Sequence, residues 1–257
     1  IYTDETPVSG FRYVQSAEKF PDVSKVNTDD WAYCDRYPMS WGGHRAYYWF
    51  ETFVTIPEEM DGQCVVYEQT TGKEDGWDAT NPQFTIYVNN VLKQGLDINH
   101  REVLLTEHAK AGERYRIMLS AFTGDHNMNL VLDARLKVLH RETETCYYDL
   151  KMPYDTACLL RESDTEYRDI ILNLNESLNL LDLRKPYSEA YEKSLKAAQD
   201  YLDQEFYERY AGVARQKVYC VGHTHIDVAW KWTLAVTEDK AVRSFSTVLE
   251  LMRQYPE

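Results

Sequence analysis

Short apolar runs of strand length, punctuated by Gly and Asn, fill the first 150 or so of the 257 residues, and this rhythm constrains the fold more than any other feature. Ala46 to Ile56 is aromatic and β-branched, and Cys64-Val-Val-Tyr67 follows a turn at Asp61-Gly62. Phe84-Thr-Ile-Tyr-Val88 meets Asn89-Asn90, and Val91-Leu-Lys returns, as in a hairpin. Glu113 to Phe122 alternates in part between charged and apolar residues. Met128 to Leu139 alternates again, which would set Leu130, Leu132, Leu136 and Val138 on one face. Strands at such spacing predict an antiparallel β-sandwich, jelly-roll-like, over residues 1–152.

Residues 153–215 change period. Tyr167, Ile170, Ile171, Leu174, Leu178 and Leu181 follow helical spacing, and Pro186 interrupts. Ser188 is suited to cap a second helix with Tyr191, Leu195, Ala198, Leu202 and Phe206 on its apolar side and Gly212 near its end. This segment reads as a helical connector with a solvated charged face.

Residues 218–230 read Val-Tyr-Cys-Val-Gly-His-Thr-His-Ile-Asp-Val-Ala-Trp. Val218 to Val221 has strand character, Gly222 breaks it, and His223, His225 and Asp227 follow at a spacing of two. If the chain stays extended there, the three side chains point the same way. Two imidazoles and a carboxylate on one side form half a site for a divalent metal, and ligands of this kind suit zinc. A helix from about Thr237 follows, with Glu238 and Asp239 near its start and Val242, Phe245, Leu249 and Met252 as a core-facing stripe. One strand and one helix cannot cover a sheet. Residues 216–257 are therefore expected to be the first βα unit of an α/β catalytic domain, incomplete in this chain, which is expected to be a fragment of a longer protein.

Acidic residues outnumber basic ones, 42 to 28, and the net charge is −14. Such a field repels phosphate backbones, so no nucleic-acid partner is expected. The apolar runs are too short to span a bilayer, so no membrane partner is expected either. Cys34, Cys64, Cys146, Cys158 and Cys220 are odd in number, far apart and without a Cys-x-x-Cys pair. They read as reduced, buried small hydrophobes in a cytoplasmic protein.

The run His223-Thr-His-Ile-Asp-Val-Ala-Trp230, with Arg243-Ser-Phe-Ser-Thr-Val-Leu-Glu-Leu-Met252 and Gln254-Tyr-Pro-Glu257, resembles the start of the catalytic domain of glycoside hydrolase family 38 α-mannosidases. The upstream β region and connector resemble, in layout, the N-terminal portion of that family's cytosolic and bacterial branch. The resemblance implies a zinc-dependent retaining exo-α-mannosidase that removes terminal α-linked mannose from oligosaccharides. It implies that His225 and Asp227 are zinc ligands, that Trp230 packs against the bound mannose, and that His223 stands beside the ligands without being one. The nucleophilic Asp, the general acid and the other ligands would lie beyond Glu257, so the fragment itself is expected to be inactive. Lys231 departs from the family, where a hydrophobic residue or Arg is more usual. Homo-oligomers are expected by analogy with relatives.

Two other readings stand beside this one. Another zinc hydrolase could use His-x-His; metallo-β-lactamase-like enzymes continue to Asp-His, where this chain has Val228, and amidohydrolase barrels need neither Trp230 nor a preceding sandwich. Alternatively, the β region is a carbohydrate-binding module in which Trp31, Trp41, Trp49 or Trp77 stacks on sugar, although such residues more often fill a core.

Overall fold

The computed structural model of the chain describes residues 1–70, 82–124, 126–210, 219, 224–230 and 232–256. Two compact units are present, one made of Asp4–Val138 with His223–Glu257, the other of Ile1–Thr3 with Leu139–Gly222.

The first unit is built on antiparallel sheets. Strands β1 (Tyr2–Val8), β2 (Phe11–Gln15), β3 (Ala32–Cys34), β4 (Met39–Gly43), β5 (Tyr47–Thr55) and β6 (Val65–Gln69) are followed by β7 (Gln83–Val88), β8 (Val91–Leu96), β9 (Glu102–Thr106), β10 (Arg114–Phe122), β11 (Met128–Leu132) and β12 (Ala134–Leu139). One sheet has the order β3-β2-β5-β10-β7-β8, a second β1-β12-β6-β9, and β11 pairs with β4. Phe50, Phe84, Ile86, Ile117 and Leu119 of the larger sheet meet Val65, Tyr67, Val103, Leu136 and Val138 of the smaller in one core. Burying each such side chain contributes roughly 1.5–3 kcal/mol. This is the sandwich that the alternation predicted.

Details differ from the sequence reading where neighbours decide them. Met128 to Leu139 is not one strand: the chain changes sheets at Asp133, yet Leu130, Leu132, Leu136 and Val138 all reach the same core. Asn89 and Asn90 both hold left-handed conformations (φ 49° and 69°), which makes the β7–β8 turn tight. The outer face of the large sheet carries a smaller cluster in which Trp49 and Met118 pack with Val23, Phe20 and Trp31. On that face Arg116 Nε donates to the buried Glu51 at 2.6 Å, and Thr28 Oγ1 donates to the other Glu51 oxygen at 2.5 Å. Trp41 and Trp49 are both buried, so neither can stack on an external sugar; Trp77 lies outside the described residues.

The helical unit contains α1 (Arg141–Ala157), α2 (Thr165–Leu180), α3 (Glu189–Tyr201), a wide π-helical turn over Leu202–Tyr207, and α4 (Glu208–Tyr210). Ser188 Oγ accepts from Tyr191 N at 3.3 Å, the predicted cap, and Tyr191, Leu195 and Ala198 are buried as the helical spacing required. Helix α1 is absent from the sequence reading because Pro153 lies within it and the preceding pattern is β. His140 caps it by accepting from Thr143 N at 3.2 Å. Cys64 and Cys146 are buried, but Cys158 is exposed at the end of α1, contrary to expectation.

Helix α5 (Leu234–Gln254) belongs to the first unit and packs on β8. It begins three residues before the expected start, because Thr233 Oγ1 accepts from Val236 N. Its buried side is Val236, Arg243, Ser246, Thr247 and Glu250, while Val242, Phe245, Leu249 and Met252 are exposed. The stripe expected to face the core therefore faces outward, and the semi-polar side meets the sheet. That side fits because β8 meets it with Lys93, whose Nζ lies 4.0 Å from Glu250, and with Gly95, whose N–H donates to Thr247 Oγ1 at 3.0 Å. A Cβ on Gly95 would lie 2.7 Å from Arg243 Cβ. The strand expected over 217–222 lies outside the described residues. No helix among the described residues is long and apolar enough to cross a membrane.

Gly95→Ala is expected to lift α5 from the sheet and to cost about 1–3 kcal/mol, the usual penalty of overpacking. Urea unfolding midpoints of the chain and its variant would measure this; an unchanged midpoint would mean that the contact is loose.

Candidate functional site

The segment before α5 is irregular, and its shape is set by two residues in the left-handed region, His225 (φ 47°) and Ala229 (φ 54°). Such backbone is uncommon for side chains larger than glycine and collects at functional sites. The extended run expected through His225 is thus not formed: residues 224–227 make no strand, and the rule that alternate side chains share a face does not hold there. His225 and Asp227 nevertheless line the same cleft, together with Trp230. His223 and Lys231 lie outside the described residues.

Thr237 fastens this segment to the first turns of α5. Its Oγ1 accepts from Ala229 N at 3.0 Å and from Trp232 Nε1 at 3.1 Å. The Trp232 ring stands edge-on to Trp230 (5.7 Å between centroids, 88°), and Lys240 Nζ lies 4.4 Å from the Trp232 ring centre. Nearby, Lys19 Nζ reaches Glu238 at 3.0 Å and Asp239 at 2.7 Å, which ties α5 to the chain ahead of β3.

The cleft has a volume of about 860 Å³. Its opposite side comes from the sandwich, with Gln83 of β7, Gly95 of β8, and Asp97, Asn99 and His100 of the β8–β9 turn. The turn is drawn together on one oxygen: Asp97 Oδ1 accepts from Asn99 N at 2.8 Å, from His100 N at 2.8 Å, and meets His100 Nδ1 at 3.1 Å. Burial pushes the Asp97 carboxyl up, but the bonds from His100 and the two amides outweigh it and the net shift is down. The bond to Asp97 in turn raises His100 above its ordinary 6.5. Arg243 enters from α5 and is buried, and Nη2 donates to Gln83 Oε1 at 2.5 Å. Burial pulls the guanidinium down to about 10, which still leaves it charged at neutral pH.

As a metal site the cleft offers an imidazole and a carboxylate, the right donor types for zinc. Among the described residues no cluster of three or more His, Cys, Asp or Glu is brought together. Two donors fit a zinc ion by kind, and a closed shell needs one or two more. Thr237, Trp232, Arg243 and the Asp97–His100 pair were not singled out as site residues from the sequence. The short Asp97-x-x-His100 spacing after a β run was the one legible signal, as a side-chain-capped turn.

Residues 215–257 match the family model described as the glycosyl hydrolases family 38 N-terminal domain. α-Mannosidase G of Dictyostelium discoideum is 23% identical over 260 residues, covering 93% of this chain and 22% of that protein. Human α-mannosidase 2C1 is 26% identical over 229 residues, covering 81% of this chain and 20% of the relative. A Saccharomyces cerevisiae α-mannosidase is 43% identical over 51 residues, covering 20% of this chain and 5% of that protein. The chain spans about a fifth of the length of the first two. A glycosyl hydrolase family 2 member from Bacteroides cellulosilyticus overlaps 53% of this chain and 21% of its own at 14% identity, with a TM-score of 0.37. Residues 215–257 thus resemble the start of the family 38 domain, and the longer stretch of similarity is to α-mannosidases.

Two outcomes follow from the geometry. Thr237→Val removes one acceptor from two donors and is expected to cost about 0.5–1.5 kcal/mol, with a changed tryptophan emission from Trp230 and Trp232; an unaltered spectrum and melting curve would refute the anchoring role. The Asp97–His100 pair is expected to stabilise the fold only while both groups are charged. That contribution falls away as pH rises through the raised His100 value, and again as pH drops through the lowered Asp97 value. A His100 proton-NMR titration in Asp97→Asn should return toward 6.5.

Proposed function

We propose that the chain is the N-terminal part of a zinc-dependent, retaining exo-α-mannosidase that removes terminal α-linked mannose from oligosaccharides. One observation carries the reading: the stretch matching the family 38 domain contributes an imidazole, a carboxylate and an indole, from His225, Asp227 and Trp230, to a single cleft. The similarity to named α-mannosidases over most of the chain supports the same substrate class.

In this reading His225 and Asp227 hold the metal with donors from elsewhere in the longer protein, and His223 stands beside them. Zinc, when bound, supplies a Lewis acid able to grip two vicinal sugar hydroxyls. Trp230 offers an apolar face against which the C–H side of a pyranose packs, with Trp232 fixing its ring edge-on. The left-handed backbone at His225 and Ala229 turns these side chains toward the cleft, and Thr237 holds that turn in place. A retaining reaction uses two carboxyl groups about 5–5.5 Å apart, one as nucleophile and one as acid and then base. Neither is assigned to this chain, so the 257 residues alone are proposed to lack turnover. A cytoplasmic, self-associating enzyme remains part of the proposal.

In the longer protein, Asp227→Ala is expected to lose bound zinc, measured by elemental analysis, together with aryl α-mannoside hydrolysis. Full hydrolysis by a metal-free variant would refute the zinc reading; hydrolysis by the isolated chain would refute the division of labour.

A further inference from the structure

The cleft has a second polar wall that the metal reading does not use. Arg243 is only 9% exposed and sits at that wall. One of its nitrogens is engaged by Gln83, and among the described residues no carboxylate lies within ion-pair distance of it. Its other nitrogens are not among the buried atoms that lack a partner, so they reach open space and can donate to a ligand there. Asp97 lines the same wall. Among the described residues its three side-chain hydrogen bonds all fall on Oδ1, and Oδ2 takes none. The wall therefore presents unused donors and an unused acceptor to one space.

That combination selects its ligand. An anion would satisfy Arg243 but would be repelled by Asp97, and a cation the reverse. A neutral polyol satisfies both, because each hydroxyl donates and accepts. The cleft is larger than one hexose ring requires, and it is flanked by Trp230 and Trp232.

Resting on the mannosidase reading, we propose that Arg243 and Asp97 form a subsite for the hydroxyls of the sugar next to the terminal mannose, so that the β-sandwich itself takes part in choosing the glycan. The Gln83 bond orients the guanidinium, and the contacts on Asp97 Oδ1 hold the carboxylate in place at the cleft wall.

The test uses the longer protein with two mild variants. Arg243→Lys keeps the charge and removes the planar fork; Asp97→Asn keeps the size and the turn. An aryl α-mannoside and an α-linked mannobiose serve as probes. Both variants should raise KM for mannobiose by about ten-fold, the loss of one hydrogen bond to a charged group, and by more than they raise it for an aryl α-mannoside. Melting temperatures near that of the parent would show that the fold is intact. Unchanged KM for mannobiose in both variants would overturn the subsite while leaving the mannosidase reading untouched. If the parent protein hydrolysed no α-mannoside, the functional reading would fail instead, and the subsite would be decided by mannobiose titration followed through Trp230 and Trp232 fluorescence. A saturable change lost in both variants supports it; no binding, or equal binding by all three proteins, overturns it.

Discussion

Helix α5 can lie against strand β8 because position 95 has no side chain. The approach is close enough that a single methyl group there would meet Arg243. It also lets the Gly95 amide donate to Thr247, a bond between positions 152 residues apart. The cleft exists because of that contact. Without it, the segment carrying His225 and Asp227 would have no opposing wall, and Arg243 would have no Gln83 to orient it. The ion pairs from Lys19 and the hydrogen bonds at Thr237 then set the segment's angle, as lesser restraints on a helix already seated.

The sandwich was legible because strand alternation and a buried face leave a period that survives in the residues. The Asn89-Asn90 turn was legible for a sharper reason, since asparagine tolerates the left-handed backbone that a two-residue hairpin demands. Helices α2 and α3 were visible in their spacing and in Ser188. What could not be read was set by distant partners. Nothing local says that the chain changes sheets at Asp133, or that the sheet offers a lysine and a glycine to α5, so that Arg243 and Thr247 are buried and Phe245 is not. Amphipathicity alone favours the opposite face.

The same division runs through the site. His225, Asp227 and Trp230 are near in sequence and stand out by residue type, and they do line one cleft. No extended strand runs through His225 and Asp227. His225 and Ala229 instead hold left-handed backbone. Asp97 and His100 come from more than one hundred positions earlier, and no pattern in the sequence ties them to Asp227.

A cleft shared between a turn of the sandwich and the segment ahead of α5 has a consequence for inheritance. The two pieces can drift only together: a recombination event that swapped the β portion for an unrelated module would hand the second half a foreign wall. A module that lacked the turn at Asp97 and the bare position at 95 would leave α5 without its seat and the cleft without its far side.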